Sequence, residues 1–362
     1  MRSLNIAVTV DPIIPVPPLK YGGIERVVEF VVNGLVARGH NVTLFAHPES
    51  RCAAKLVGYG VPPHFTNSAR LRELWQVSTG ILQRVRQLDA VLSWGRLAAL
   101  LPVLPFRRLA KVQSYQRDEV PWSSVKIAAR LAGPSIRFSG CSASVYRQSA
   151  QYGADGGVWS TIFNGVELAK YKAVLSVPHD APLAFLGRLE RFKGAHNAIA
   201  IAKRTGRKLI IAGNKVLTGP DAQYFDQVLA PQIDGDQVRY IGPVDDPQKS
   251  GFLGTCSALL MPIEWEEPFG IVMAEAMACG TPVIAFNRGS IPEIVRDGTN
   301  GFRCQTVEDA AAAVSKLDQI DRAAVRADCE ARFSAEVITS AYESLIQQMV
   351  NALGGASRSS KL

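Results

Sequence analysis

Short runs of β-branched and apolar residues alternate along this chain with segments of helical periodicity, and they do so in two separate series. Alternation of this kind predicts βαβ units, because neighbouring parallel strands need a crossover of a dozen or more residues, normally a helix. The first series comprises residues 4–10, 41–46, 88–93, 110–115, 136–141 and 158–163. The second comprises residues 183–189, 208–213, 238–242, 258–262, 282–286 and 301–304. The fold class is therefore α/β, with two doubly wound parallel sheets, and 362 residues suffice for two domains of ordinary size. Between the series lies NGVELAKYKAVLSVPHDAP, with Asn164-Gly165, Pro178, Pro182 and no strong period, which reads as a hinge. Domains are expected over residues 1–175 and 176–332, followed by a helix over about 333–352.

The first strand leads through a proline-rich loop to Gly22-Gly23 and then to IERVVEFVVNGLVARGH. Here Ile24, Val27, Val28, Val31 and Leu35 share one helical face, and Gly39 supplies the stop. A chain 47% hydrophobic and 20% charged is an ordinary globular composition. Its most apolar stretch, residues 97–106, contains two prolines and falls well short of a membrane span. The amino terminus, MRSLNIAVTVDP, lacks the pattern of a signal peptide, so a cytoplasmic location is expected. Six dispersed cysteines without a C-x-x-C pair read as reduced core thiols, and five scattered histidines (His40, His47, His64, His179, His196) as no metal cluster.

Charge is uneven. Between residues 70 and 147 there are thirteen Lys or Arg, Lys111 among them, against four acids, so the first half is expected to carry a positive face. Such a face suits anionic lipid or an acidic acceptor; an apolar LAALLPVLPF ahead of Arg107-Arg108 favours peripheral contact with an anionic membrane. Nucleic acid is disfavoured, because few aromatics interleave with these cations.

Two windows carry chemistry. In EWEEPFGIVMAEAMACGTPVIAFNRGSIPEIV, Pro268 and Gly270 open a helix whose free N–H groups and dipole make an anion site. Glu267 and Glu275 would lie about 12 Å apart along a continuous helix, too far for the roughly 5 Å dyad of a retaining glycosidase. Two carboxylates flanking an anion site suit a ligand with hydroxyls at both ends and phosphates between, such as a nucleotide sugar. In LGRLERFKG, Arg188 and Lys193 follow a strand at the ligand-binding edge of a parallel sheet, where they can neutralise a diphosphate without a metal.

In this order, YGGIERVV, FNGVEL, GRLERFKG and EPFGIVMAEAMACGTPVIA followed by GSIPEIVRDGTNGF resemble the family 4 retaining glycosyltransferases, the glycosyl transferases of group 1. The resemblance covers nearly the whole chain. It implies a GT-B fold, two Rossmann-like domains facing across a cleft, with an amino-terminal acceptor domain, a carboxy-terminal donor domain and the last helix crossing back onto the first. It implies transfer of a hexose from a nucleotide-diphosphate sugar, UDP before GDP, to a hydroxyl acceptor in carbohydrate biosynthesis, with no cofactor or metal. Arg188 and Lys193 would bind the donor phosphates, Glu275 the ribose, and Glu267 the transferred sugar. Pro268, Phe269, Gly270, Ile271 and Val272 would supply backbone contacts, Gly242, Pro243 and Val244 would meet the base, and Gly22 and Gly23 would close over the donor. Where the family often places an acceptor-side histidine, this chain has Trp94, Tyr115, Arg117 and Asp118.

Other readings on the same plan are a nucleotide-sugar epimerase, a sugar phosphorylase or a non-catalytic sugar-nucleotide binder. Asp234-Gly235-Asp236 matches a metal-holding D-x-D but sits where Asp-Gly makes a turn, and the final Ser360-Lys361-Leu362 has the form of a peroxisomal address too short to weigh.

Overall fold

The computed structural model describes residues 2–18, 22–60 and 66–359. Tyr21, His64 and Ser360-Lys361-Leu362 lie outside the described residues. The chain divides into two compact units, Met1–Asn164 with Ala335–Leu362, and Gly165–Ser334.

The first unit holds seven parallel strands: β1 (Asn5–Thr9), β2 (Asn41–Ala46), β3 (Lys55–Gly58), β4 (Ala90–Ser93), β5 (Ala110–Tyr115), β6 (Ile136–Gly140) and β7 (Trp159–Thr161), in the order β3-β2-β1-β4-β5-β6-β7. The sequence reading lacks β3, a four-residue edge strand with a half-buried pattern and so without an apolar run to mark it. The helix Gly23–Ala37 buries Val27, Val28, Val31 and Leu35 as expected, but also Phe30 and Val32. The final helix, Ala335–Ser359, packs on this helix, with Thr339 so close to Gly34 that a Cβ there would lie 2.8 Å from Cγ2. Tyr342 of that helix is fully buried, hydrogen bonded through its hydroxyl to Ser114 Oγ at 2.9 Å. Buried His40 accepts the Leu4 N–H at Nδ1 (3.1 Å), so its Nε2 carries the proton toward Glu343 Oε1 (2.9 Å).

Lys111 does not belong to a positive surface. Its Nζ is buried among the carbonyls of Phe106 and Leu109 and Ser135 Oγ, at 2.8 to 2.9 Å, and desolvation lowers its pKa to about 8.

The second unit holds six parallel strands: β8 (Leu183–Leu186), β9 (Leu209–Ala212), β10 (Val238–Tyr240), β11 (Ala258–Met261), β12 (Val283–Phe286) and β13 (Gly301–Cys304), ordered β10-β9-β8-β11-β12-β13. β11 and β12, buried on both faces, read as the continuous apolar runs ALLM and VIAF. Residues 165–175, which their hinge-like composition placed with the first domain, pack inside this unit. The Val166 N–H donates to Phe333 O (2.8 Å) and that of Val174 to Cys279 O (2.9 Å).

At the ends of β8, β9 and β10 the backbones nearly touch. A Cβ on Gly213, itself at φ +144°, would stand 1.7 Å from Gly187 O, and its N–H donates to Gly242 O at 2.9 Å. Gly213→Ala is expected to destabilise the chain by at least about 3 kcal/mol, read as a fall in the urea midpoint, because backbone rather than a flexible side chain would have to move.

Candidate active site

In the second sheet the chain steps outward from β8 to β10 and then returns to β11, so β8 and β11 flank the point where strand order reverses. The carboxyl ends of strands flanking such a reversal are where doubly wound sheets bind ligands. Arg188 and Lys193 follow β8, and Glu267 follows β11. The two loops are joined: the Glu264 N–H donates to Phe192 O at 2.8 Å, and Gly194, at φ +79°, lies where a Cβ would be 1.9 Å from Pro262 O.

The result is a compact charged pair. Lys193 Nζ bonds Glu267 Oε2 at 2.7 Å, the Trp265 indole N–H donates to the same oxygen at 3.0 Å, and Lys193 stands 4.4 Å from the Trp265 ring centre. Glu267 is only 7% exposed, and the ammonium and the indole N–H both converge on its Oε2, as a buried carboxylate requires. Its backbone is pinned from the turn after β12: the Ser290 N–H donates to Glu267 O (2.9 Å), and Gly289, at φ +57°, leaves no room for a side chain beside Glu267 N. Exposed Arg188 pairs with Glu190, itself buried.

Pro268 lies before the helix rather than in its first turn. Helix Ile271–Ala278 starts at Gly270, whose left-handed φ of +76° ends the loop after Phe269 and turns the helix N-terminus toward it. Glu275, 3% exposed, accepts from the Tyr171 hydroxyl (2.8 Å) and from Lys249 Nζ (2.6 Å), which also meets Asp246 at 3.1 Å. Gly242 to Val244 continue β10, with Pro243 exposed and Gly242 at φ +79°.

Trp265, Tyr171, Lys249 and Glu190 are absent from the sequence reading. Only Glu190 and Trp265, beside the two motifs, carried a local signal. Asp234 Oδ1 accepts the N–H groups of Asp236 and Val238, both at 2.9 Å, which makes the D-x-D a turn.

The remaining candidates belong to the first unit. Gly22, at φ +154°, precedes helix Gly23–Ala37. Trp94 is 6% exposed and lies edge-on to Tyr342 at 4.9 Å. Tyr115 packs on Phe138 and Trp159, and burial pushes its phenol pKa well up. Arg117 and Asp118 are exposed.

Two doubly wound parallel sheets, with cations and carboxylates at the switch point of the second, are the architecture of the GT-B fold. Residues 170–329 match the model of the family "Glycosyl transferases group 1", and residues 21–170 that of "Glycosyltransferase Family 4". The chain belongs to glycosyltransferase family 4. It is similar to a glycogen synthase of Mycobacterium tuberculosis, 25% identical across 90% of this chain and 89% of the relative. D-inositol 3-phosphate glycosyltransferase 1 of Catenulispora acidiphila is 28% identical across 67% and 66%. Among solved structures, Anabaena Alr3699/HepE in complex with UDP and glucose shares the fold at TM-score 0.72 and 18% identity, over 95% of this chain and 99% of that one.

Proposed function

We propose that this glycosyltransferase is a metal-independent, retaining enzyme that moves a hexose from a nucleotide-diphosphate sugar, UDP-sugar before GDP-sugar, to a hydroxyl acceptor. The observation that carries this reading is the Lys193–Glu267 pair at the switch point, with Arg188 on the same β8 loop. Two fixed cations suit a diphosphate leaving group, and the start of helix Ile271–Ala278 adds partial positive charge for the same anion. Glu267, held by Lys193 and Trp265, is placed to accept from sugar hydroxyls, with residues 268–272 supplying backbone contacts. Glu275 has the character of a ribose acceptor, and Gly242, Pro243 and Val244 of a backbone edge for the base. Gly22 and Gly23 would close on the donor from the first domain.

In the proposed step the bond from the sugar's anomeric carbon to the donor phosphate oxygen breaks, and a bond to the acceptor oxygen forms on the same face. The acceptor's proton passes to the departing phosphate, so charge balances and configuration is kept. UDP is favoured because it occupies the Anabaena structure. The acceptors named for the relatives differ in charge, and glycan, lipid-linked and small-molecule acceptors all fit the family.

The test is a panel of UDP-, GDP-, ADP- and dTDP-sugars in excess EDTA, read as melting shift and released nucleotide. A ligand at a hundred times its dissociation constant adds about 2.7 kcal/mol of stability. Cleavage that needs restored metal, or inversion at the anomeric carbon by NMR, sinks the respective part of the proposal. Isomerisation without nucleotide release would identify an epimerase, and consumption of a disaccharide with free phosphate a phosphorylase. Because Tyr171 holds Glu275, Tyr171→Phe is expected to weaken donor binding about fivefold, the value of one hydrogen bond of about 1 kcal/mol, leaving turnover at saturation unchanged.

The first unit is also proposed to rest on anionic membrane. Leu71 and Trp75, one turn apart and each 68% exposed, project from helix Asn67–Arg84 beside Arg70 and Arg72. Among the described residues no helix is long and apolar enough to cross a membrane. Failure to sediment with phosphatidylglycerol vesicles at low salt would overturn this contact.

A further inference from the structure

His196, one of the five histidines too dispersed to make a metal cluster, lies in the first turn of helix Ala195–Thr205, directly after the loop that carries Lys193. Its ring is engaged on both sides. Nδ1 stands 2.9 Å from the Tyr224 hydroxyl, and Nε2 stands 3.0 Å from Glu264 Oε1. The Tyr224 oxygen also accepts the His196 backbone N–H at 3.2 Å, which leaves the phenolic proton directed at Nδ1. Burial pushes the Tyr224 phenol pKa up to about 12, against the pull of the His196 N–H and of Arg191, so the phenol keeps that proton at neutral pH. With Nδ1 accepting, the ring proton sits on Nε2, and the imidazole donates to Glu264.

Three segments meet at this ring. Tyr224 closes the short helix Pro220–Tyr224, whose Asp221 Oδ1 accepts the Arg191 N–H at 3.0 Å, two residues ahead of Lys193. Glu264 belongs to the loop after β11, and its Oε1 also accepts from Asn197 Nδ2 at 3.1 Å, an amide that reaches Pro262 O at 3.2 Å. Trp265 follows Glu264 directly, with its ring 5.1 Å from that of Phe192 and its indole N–H on Glu267 Oε2. A displacement of Glu264 is therefore passed through one peptide to Trp265, and through the indole to the oxygen that Lys193 holds. Side chains 18% and 38% exposed, as those of His196 and Glu264 are, add little to global stability through their pairing. What the pairing fixes is orientation.

We propose that His196 is a positioning residue for the Lys193–Glu267 pair: by donating to Glu264 it fixes the loop after β11 against the loop after β8, and so sets where Glu267 Oε2 stands. The consequence for turnover rests on the transferase reading; the tie between the two loops does not. His196 acts through Glu264 and Trp265. Because Asn197 supplies a second bond to the same Glu264 oxygen, loss of the imidazole loosens the loop without releasing it. Small misplacements of reacting groups lower turnover more than ground-state affinity.

The test uses the full chain, with the indole N–H resonances of its five tryptophans followed by NMR and that of Trp265 assigned by its loss in Trp265→Phe. His196→Ala is expected to move the Trp265 resonance and to leave that of Trp159, which donates to Gly156 O in the first unit, where it was. His196→Gln, whose amide can still donate to Glu264, should restore it. With the nucleotide sugar cleaved fastest in the panel above, His196→Ala should lower kcat about tenfold at nearly constant KM and melting temperature. Glu264→Ala should cost the same factor and the double variant no more, since either change breaks the one tie. A Trp265 resonance unmoved in folded His196→Ala, or losses that multiply in the double variant, overturns the proposal. Should His196→Ala fail to fold, Glu264→Ala, altered at the more exposed partner, gives the same resonance reading. If the indole shift appears while the unaltered protein cleaves no donor, it is the transferase reading that fails, and the tie between the loops stands.

Discussion

Lys193→Ala is expected to slow nucleotide release from the donor by about 10²- to 10³-fold, the loss seen when one preorganised group facing developing negative charge is removed. As the donor bond breaks, charge accumulates on the diphosphate, so a cation there contributes more to the transition state than to the ground state. The same substitution strips Glu267 of its 2.7 Å partner and leaves the Trp265 N–H alone on that oxygen. Donor affinity should thus fall less than turnover. Equal losses in affinity and kcat/KM, with kcat untouched, would mean that Lys193 serves only to hold the ground state. A melting curve on the same sample separates this from a loosened loop, since the pair is partly exposed on the lysine side.

Arg322→Ala should cost about 3–5 kcal/mol of stability, more than any exposed ion pair in the chain. This guanidinium is only 7% exposed and donates to Val174 O (2.6 Å), Gly254 O (2.9 Å), Cys256 O (3.0 Å) and Thr281 Oγ1 (2.8 Å). Its removal strands three carbonyls at once, those of Gly254 and Cys256 buried. Desolvation already lowers its pKa, a sign that its charge is tolerated only because the acceptors converge on it. Arg322→Lys should recover little, because an ammonium cannot reproduce the planar fork. Urea unfolding of the full chain is the measurement; a midpoint unchanged within error would remove Arg322 from the list of groups that hold the second unit together.

The two sheets were legible because central strands in both, such as AVLS, ALLM and VIAF, are short, largely apolar buried runs. β3 escaped because an edge strand of four half-buried residues carries no such run. The last helix, expected from about residue 333, starts at Ala335. In the candidate site, Arg188, Lys193, Glu267 and Glu275 could be found because each lies within a few residues of a strand end or helix start. Tyr171 and Lys249 could not: they lie 104 and 26 residues from Glu275, one in a segment without periodicity and one on an unremarkable helix.

Lys111 shows the same limit from the other side. A lysine in a basic stretch reads as surface charge, and only the carbonyls of Phe106 and Leu109 reveal it as a buried group. The packing of Trp94 against Tyr342, from the far end of the chain, is likewise invisible in the local sequence.

By itself the sequence determined the alternation of strands and helices and the division into two parallel sheets, because periodicity and turn chemistry are properties of neighbours along the chain. Only the tertiary structure decided that β11 lies beside β8 and β4 beside β1. Strand order is set by burying both faces of a sheet at once, a condition on residues far apart in sequence, and it is this order that brings Lys193 to Glu267 and Asp11 to Arg96.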